Sequence, residues 1–345
     1  MQNQYNWPLW HWHFEASSIC TLKCPRCPRT ELPDTLVQTQ LRLDFFEKNF
    51  DLPDSIKKIT FCGDDGDPIY ARDLIDIVAF FKERNPNVSI TIITNGSYKD
   101  DIWWDKLGKT LNSQDEVKFS LDGWDQESNS KYRVNCEWDS IERGAKALRK
   151  SSSAVMGWDA IAFGFNQEHH AYMKSLAQDW GFDRFQLTKS TKFGSKYSHY
   201  NDDVNSILEP SAEFIPTGHR FERDITLLTN RQINNSEIIQ ANLAHLEYTR
   251  SLYQGNIVPL CFIGTKGMFV NSQGYFIPCC WIGNRYNHNG IQQFLKPEFN
   301  IQQQGLENVL NSTQWESFIA KFDSMKECSE KCAKNLVTEE YATSW

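Results

Sequence analysis

Three cysteines stand close together near the start of the chain, at Cys20, Cys24 and Cys27, within the stretch SSICTLKCPRCPRTE. A span this short lets one loop arrange three thiolates around a single metal centre. Three protein ligands leave one coordination position open, which is typical of a catalytic rather than a structural metal site. Two alternatives stay open: a zinc site that borrows Cys62 as its fourth ligand, and cysteines that bind no metal.

A second group of cysteines lies in the last third of the chain, and its members are Cys261, Cys279, Cys280, Cys328 and Cys332. Four thiolates close a metal site completely, which suits electron transfer or a structural role. A four-cysteine zinc site is the alternative, because zinc accepts the same ligands. The adjacent Cys279 and Cys280 compete for one position. Cys62 and Cys136 lie outside both groups, and we expect them to be ordinary small buried residues.

Hydrophobic periodicity predicts the elements that position these thiols. Apolar, β-branched runs alternate with amphipathic stretches in about six β/α units up to residue ~190. The predicted strands are 9–17, 56–63, 88–96, 115–123, 155–166 and 184–189, and the helices are 43–50, 72–85, 100–111, 137–150 and 168–181. Strands separated by helices form a parallel sheet, and about six units fit an open partial barrel better than a complete one.

Polar and glycine residues follow these strands, at the edge where the chemistry of such sheets collects. The candidates are Gly63, Gly66, Asp67, Pro68, Thr94, Asn95, Ser120, Asp122 and Asn166. Alone, each of these segments is a turn former. The aspartates of CGDDGDP could otherwise bind Mg²⁺ or Ca²⁺, but glycine and proline interrupt any regular ligand spacing.

Changes in composition and hydrophobic patterning along the chain predict three regions. We expect a partial-barrel domain over 1–190 and a polar, irregular connector or substrate-facing insertion over 191–257, with a helix at 236–254. Residues 258–345 form a small domain around the second thiol group, with a hairpin at the turn NSQG and a helix over 313–332.

Charge and hydropathy exclude several classes of function. The chain has 44 acidic and 36 basic residues and a net charge of −8, which disfavours a nonspecific grip on nucleic acid. It has neither a leader pattern nor about 18 uninterrupted apolar residues, so we expect a cytoplasmic protein without a membrane partner. His11 and His13 share one side of the first strand and are expected to be hydrogen-bonded within the barrel, with metal or substrate binding as the alternative.

The spacing and placement of Cys20, Cys24 and Cys27 resemble those of the radical S-adenosylmethionine enzymes. The resemblance implies that these thiolates hold a [4Fe-4S] cluster whose fourth iron binds the amino and carboxylate groups of S-adenosylmethionine. Gly66, Asp67 and Pro68 resemble the Gly-Glu-Pro end of a family segment, which implies that Asp67 holds the methionine ammonium group. Thr94, Asn95, Ser120, Asp122 and Asn166 would line the same pocket. Arg26 departs from the family, which usually has an aromatic residue there.

The second thiol group resembles the twitch domain, a shortened SPASM domain. This implies that Cys261, Cys279, Cys328 and Cys332 bind one auxiliary [4Fe-4S] cluster, with Cys280 as the alternative to Cys279. The expected fold is therefore α/β: a partial (β/α)6 TIM barrel followed by a small α+β twitch domain.

The resemblance implies an oxidoreductase that forms a 5′-deoxyadenosyl radical and receives electrons from a flavodoxin- or ferredoxin-type donor. Net oxidation or remodelling of a small molecule is the first expectation. Peptide modification is the second, because about 19 residues before Cys20 leave no room for a separate peptide-recognition domain. A non-catalytic module that binds zinc or an iron–sulfur cluster is the alternative from another class.

Overall fold

The computed structural model describes residues 11–51, 56–190, 208–211, 213–215, 217–221, 261, 267–319 and 325–332. The chain divides into two compact units. The first combines Met1–Ile19, Val37–Ile90 and Thr229–Trp345, and the second combines Cys20–Leu36 and Thr91–Leu228.

The strands of the described residues are β1 His11–Phe14, β2 Lys58–Phe61, β3 Ser89–Thr94, β4 Glu116–Ser120, β5 Val155–Ala162, β6 Arg184–Lys189, β7 Thr217–Arg220, β8 Met268–Val270 and β9 Phe276–Ile277. In the first unit, β1 pairs in parallel with both β2 and β8, and β9 adds an antiparallel edge next to β8. In the second unit, β3, β4, β5 and β6 pair in parallel in chain order, and β7 is antiparallel to β6.

The helices are α1 Pro28–Glu31, α2 Leu43–Asn49, α3 Leu74–Arg84, α4 Asp101–Thr110, α5 Gln126–Ser130, α6 Trp138–Ser151, α7 His170–Asp179, α8 Cys280–Gly283, α9 His288–Gln292, α10 Ile301–Gln304, α11 Leu306–Leu310, α12 Thr313–Ile319 and α13 Lys326–Lys331. Local signals set several of their ends. The Asp100 carboxylate caps α4 by accepting from the Trp103 amide, and Gly181 takes a φ of +80° just after α7.

Strand alternation separates an aromatic core from a polar face in the first unit. Trp12 and Phe14 are fully buried, and both pack edge-on against Phe50, with ring centroids 4.9 Å apart. The intervening side chains point to the other face. There His11 Nε2 bonds Thr60 Oγ1 at 3.0 Å, and His13 Nε2 donates to the Cys62 carbonyl oxygen at 2.9 Å. The expectation of hydrogen-bonded histidines is confirmed.

The second unit follows the same logic. Phe119 of β4 is fully buried and stacks on Trp104 of α4 at 5.2 Å, and Trp104 in turn covers Gly144 of α6. A Cβ at Gly144 would lie 2.3 Å from the Trp104 ring nitrogen, so only glycine allows this approach. Because Phe119 faces the helices, Ser120 at the end of the strand faces the opposite side.

The predicted order of strands and helices is confirmed up to β6, and two predictions differ. The single helix predicted over 313–332 is wrong: its described residues form α12 and α13, and Met325 before α13 has extended backbone. Part of the predicted connector forms the edge strand β7. The helix predicted at 236–254 lies outside the described residues. Across the described ranges, no helix combines the length and apolarity needed to span a membrane.

Candidate functional site: two groups of thiols

The loop with the three N-terminal cysteines lies in the second unit and leads into α1. Cys27 directly precedes this helix, and Pro28 takes its first position, where a missing amide hydrogen costs no helical bond. The Cys27 amide donates to the Cys24 carbonyl oxygen at 3.1 Å, and the Arg29 guanidinium donates to the Cys20 carbonyl oxygen at 2.9 Å. These bonds fix the backbone around all three thiols.

The Cys20 thiol meets a side chain that directly follows β3. Asn95 Nδ2 donates to Cys20 Sγ at 3.6 Å, while Asn95 Oδ1 accepts from the Ser97 amide at 2.9 Å. The second bond fixes which end of the amide faces the sulfur. Hydrogen bonds to sulfur are one means by which a protein sets the potential of an iron–sulfur cluster.

Cys24 is buried beside a cation. Burial raises the pKa of its thiol to about 11, and the charge of Arg133, together with a hydrogen bond from its guanidinium, opposes that rise. Arg133 Nε also donates to Asp122 Oδ2 at 2.6 Å, and Asp122 Oδ1 accepts from the Ile161 amide at 2.7 Å. Burial raises the pKa of Asp122, while Arg133 and the Ile161 amide lower it. Asp122 thus acts on the cysteine loop through Arg133.

The segment around Arg133 also packs on the backbone of the cysteine loop. The Lys23 amide donates to the Val134 carbonyl oxygen at 2.9 Å, and Asn135 Nδ2 donates to the Thr21 carbonyl oxygen at 3.4 Å. Asn135 has a φ of +69°, a left-handed conformation that asparagine adopts more readily than most residues. Arg133 is not among the site residues predicted from the sequence. A buried acid at Asp122 signals a cationic partner, but the sequence does not tell which cation it is.

The other predicted residues of the second unit divide by exposure. Asn166 is fully buried, and its Nδ2 donates to the Asp122 carbonyl oxygen at 2.7 Å. Thr94 is also buried, and its Oγ1 accepts from the Gly96 amide at 3.0 Å. Both side chains shape the strand ends. Ser120 is partly exposed.

The Gly66–Asp67 segment lies in the first unit and is held by close backbone contacts. A Cβ on Gly66 would lie 2.0 Å from the Ser17 carbonyl oxygen, and a Cβ on Gly63 would lie 2.5 Å from the Gly66 carbonyl oxygen. The Asp67 amide donates to the Ile19 carbonyl oxygen at 3.0 Å. Both glycines are therefore required by close approach.

Asp67 has a structural task besides its predicted one. Its Oδ1 accepts from the Ile69 amide at 3.2 Å and caps the short 3-10 helix Pro68–Tyr70, in which Pro68 takes the first position. Asp67 is buried. The binding of an ammonium group by this carboxylate stays a prediction.

The four predicted auxiliary cysteines come together in the first unit. A hydrogen bond with Cys332, burial, and the proximity of Cys261 and Cys279 all raise the pKa of the Cys328 thiol. Thiols with raised pKa values are protonated near neutral pH, so binding iron requires proton release.

Cys279 has its sulfur among these thiols, close to Cys328 and Cys332. Its Sγ accepts hydrogen bonds from the amides of Trp281 and Ile282, at the start of α8. Desolvation raises the pKa of the Cys279 thiol to about 12, and the charges of Cys332 and Asp64 act in the same direction. This position favours Cys279 as the cluster ligand.

Over the part of the chain that the structure describes, no three His, Cys, Asp or Glu side chains are placed to bind one metal ion together. A [4Fe-4S] cluster takes each thiolate at a different iron, so its ligands stand further apart than those of one ion. Both thiol groups fit such a cluster by donor type, and each includes a sulfur that receives N–H donors.

Two family models match the chain. Residues 14–176 match the Radical SAM superfamily, and residues 261–333 match SPASM, an iron-sulfur cluster-binding domain. No curated protein matches.

Several solved structures share the fold. Streptococcus suis SuiB bound to S-adenosylmethionine is 16% identical with a TM-score of 0.59, over 95% of this chain and 71% of that chain. SuiB bound to precursor peptide SuiA is 16% identical with a TM-score of 0.58, over 96% and 71%. Native anSMEcpe with bound AdoMet and Cp18Cys peptide is 16% identical with a TM-score of 0.53, over 94% and 86%.

At such identities the likeness shows the fold, and it agrees with the α/β element order described above and with the expected partial barrel. The two matched domains imply the cofactors: S-adenosylmethionine with its [4Fe-4S] cluster, and auxiliary iron–sulfur ligation. The chain thus carries a radical S-adenosylmethionine superfamily domain over residues 14–176 and a SPASM-type iron–sulfur domain over residues 261–333.

Proposed function

We propose that this protein is an oxidoreductase that uses S-adenosylmethionine to remove a hydrogen atom from a C–H bond of its substrate. Cys20, Cys24 and Cys27 would hold the [4Fe-4S] cluster, which would supply the electron for reductive cleavage of S-adenosylmethionine and so the radical chemistry that removes this hydrogen. The observation that carries the proposal is the pair of N–H donors aimed at these sulfurs, from Asn95 to Cys20 and from Arg133 to Cys24.

The chain's strand ends supply the remaining contacts to S-adenosylmethionine. Gly66 brings its backbone close enough to bind the methionine portion, and the Asp67 carboxylate binds the ammonium group. Ser120 offers a partly exposed hydroxyl group at the end of β4. Gly63 and Pro68 hold the Gly66–Asp67 segment of the first unit, and Thr94, Asp122 and Asn166 hold the strand ends of the second unit.

With an auxiliary cluster on the second thiol group, the reaction would be a net two-electron oxidation. Cys261, Cys279, Cys328 and Cys332 would hold one auxiliary cluster, as in a twitch domain, which would supply an acceptor for the electron left on the substrate. Four thiolates leave no open position, which suits electron transfer better than substrate binding. We place the reaction in the cytoplasm, with a flavodoxin- or ferredoxin-type protein as the electron donor.

We propose a peptide as the substrate, ahead of the small molecule that the sequence favours. The support comes from two proteins of the same fold: SuiB is bound to the precursor peptide SuiA, and anSMEcpe to the peptide Cp18Cys. A screen of linear peptides and small polyols for substrate-dependent methionine formation distinguishes the two classes.

The reaction itself is tested by anaerobic reconstitution, followed by incubation with S-adenosylmethionine and a strong reductant. The wild-type protein should bind about eight irons and form 5′-deoxyadenosine. Cys24→Ala should lower 5′-deoxyadenosine formation about 100-fold or more, because it removes a cluster ligand.

Cys136→Ala is the matched control, since Cys136 is also buried in the second unit but bonds Ser130 Oγ at 3.4 Å. Zinc in both sites, or a wild-type protein with a full N-terminal cluster that forms no 5′-deoxyadenosine, would contradict the proposal.

A further inference from the structure

The acidic loop 62–67, which follows β2, is tied to the end of β1 by a buried carboxylate. Glu15 Oε1 accepts from the Asp65 amide at 2.7 Å, and Glu15 itself is 3% exposed. Its other oxygen, Oε2, accepts from the amide and the hydroxyl group of Ser272 at 3.2 and 3.1 Å. One side chain therefore joins the 62–67 loop to the turn after β8.

The 62–67 loop has a second tie, to the segment that follows an auxiliary cysteine. Arg285 Nε donates to Asp65 Oδ1 at 2.7 Å, and the two side chains are only 9% and 16% exposed. Arg285 lies two residues beyond α8, the helix that begins directly after Cys279. A charge pair this enclosed holds its geometry more firmly than an exposed one, because removing one partner leaves a buried charge.

The same loop ends in the segment proposed to contact S-adenosylmethionine. Asp65 precedes Gly66 directly, and Gly66 rests on the Ser17 carbonyl oxygen with no space for a Cβ. The Asp67 amide is bonded to Ile19. A shift of Asp65 therefore cannot be absorbed by slack in the loop and moves Gly66 and Asp67.

We infer that Arg285, acting through Asp65, is a positioning residue for the Gly66–Asp67 segment, so that the chain beyond the auxiliary cysteine Cys279 sets the affinity for S-adenosylmethionine. This inference rests on the proposed function. Arg285 acts by fixing where the backbone of Gly66 lies.

The test compares Arg285→Gln and Asp65→Asn with the wild-type protein after reconstitution. Both variants should raise the KM for S-adenosylmethionine about tenfold in 5′-deoxyadenosine formation, while kcat and iron content stay unchanged, because a positioning contact contributes coupling of this order. The double variant should be no worse than either single variant, since both remove one contact. Arg285→Lys, which keeps the charge, should restore part of the affinity.

Arg84→Gln is the matched control. Arg84 Nε bonds Asp51 Oδ1 at the same distance of 2.7 Å in the same unit, but the pair is exposed and lies away from the loop. Hydrogen exchange gives a readout that does not depend on turnover. Arg285→Gln should speed exchange of the Asp65 and Asp67 amides, and Arg84→Gln should not.

Three results would overturn the inference: a KM within twofold of wild type in Arg285→Gln, unchanged exchange at Asp67, or a loss of auxiliary irons that accompanies the KM change. The last result would make Arg285 a structural support of the cluster site. Wild-type activity separates this test from that of the proposed function, since a wild-type protein that forms 5′-deoxyadenosine upholds the function whatever the variants do.

Discussion

At the scale of single residues, Arg133 places a permanent positive charge beside a proposed cluster ligand. Its guanidinium reaches both Cys24 and the buried Asp122. A nearby cation stabilises the more negative, reduced form of a cluster, so it raises the reduction potential. Asp122 moderates this charge and fixes its position.

We therefore expect Arg133→Gln to lower the midpoint potential of the N-terminal cluster by on the order of 50 mV, from the size of a charge interaction at such distances. Arg133→Lys should keep most of the potential. A redox titration followed by electron paramagnetic resonance measures it. Arg143→Gln is the control, since Arg143 pairs with Asp101 in an exposed position of the same unit. An unchanged potential in Arg133→Gln would show that the charge does not act on the cluster.

At the scale of elements, Glu15 joins three of them: the end of β1, the loop after β2 and the turn after β8. Burial and the charge of Asp65 raise the pKa of Glu15 to about 7, while the donors from Asp65 and Ser272 lower it. The Glu15 carboxyl group therefore binds its proton more tightly in the folded chain than in the unfolded one. Its contribution to the free energy of unfolding depends on pH near neutrality.

The sign follows from this raised pKa. The stabilisation is complete below the unfolded pKa of about 4.5 and is lost as the pH rises through about 7, a change on the order of 3 kcal/mol. Glu15→Gln should remove this part of the pH dependence. Urea unfolding of the metal-free chain from about pH 5 to about pH 8 measures it. Glu83→Gln, on the exposed side of α3, is the control, and equal slopes in wild type and Glu15→Gln would contradict the prediction.

At the scale of the whole molecule, features that depend on local sequence patterns were predictable, and contacts between distant segments were not. The spacing of Cys20, Cys24 and Cys27 and the strand ends around Asn95 and Asp122 are visible in the sequence, because each depends on a few adjacent residues. Arg133 and Arg285 are not, because their partners are fixed only when distant segments fold together. The tie between Glu15 and Ser272 spans 257 residues of the chain, which no local pattern encodes.

The two thiol groups belong to different compact units, Cys20, Cys24 and Cys27 to the second and the auxiliary cysteines to the first. Binding sites with no shared ligand load independently. Cys279→Ala should therefore lose about four of about eight irons and still form 5′-deoxyadenosine at saturating S-adenosylmethionine.

Cys280→Ala is the matched control for this prediction. Cys280 is adjacent to Cys279 in sequence, but it is the Cys279 sulfur that lies near Cys328 and Cys332. It should keep all the irons. Iron analysis and spin quantification read out both variants. If Cys280→Ala rather than Cys279→Ala lost the irons, the ligand would be Cys280. If Cys279→Ala lost the irons of both clusters, loading of the two sites would be coupled, and the auxiliary cluster would support the site where S-adenosylmethionine binds.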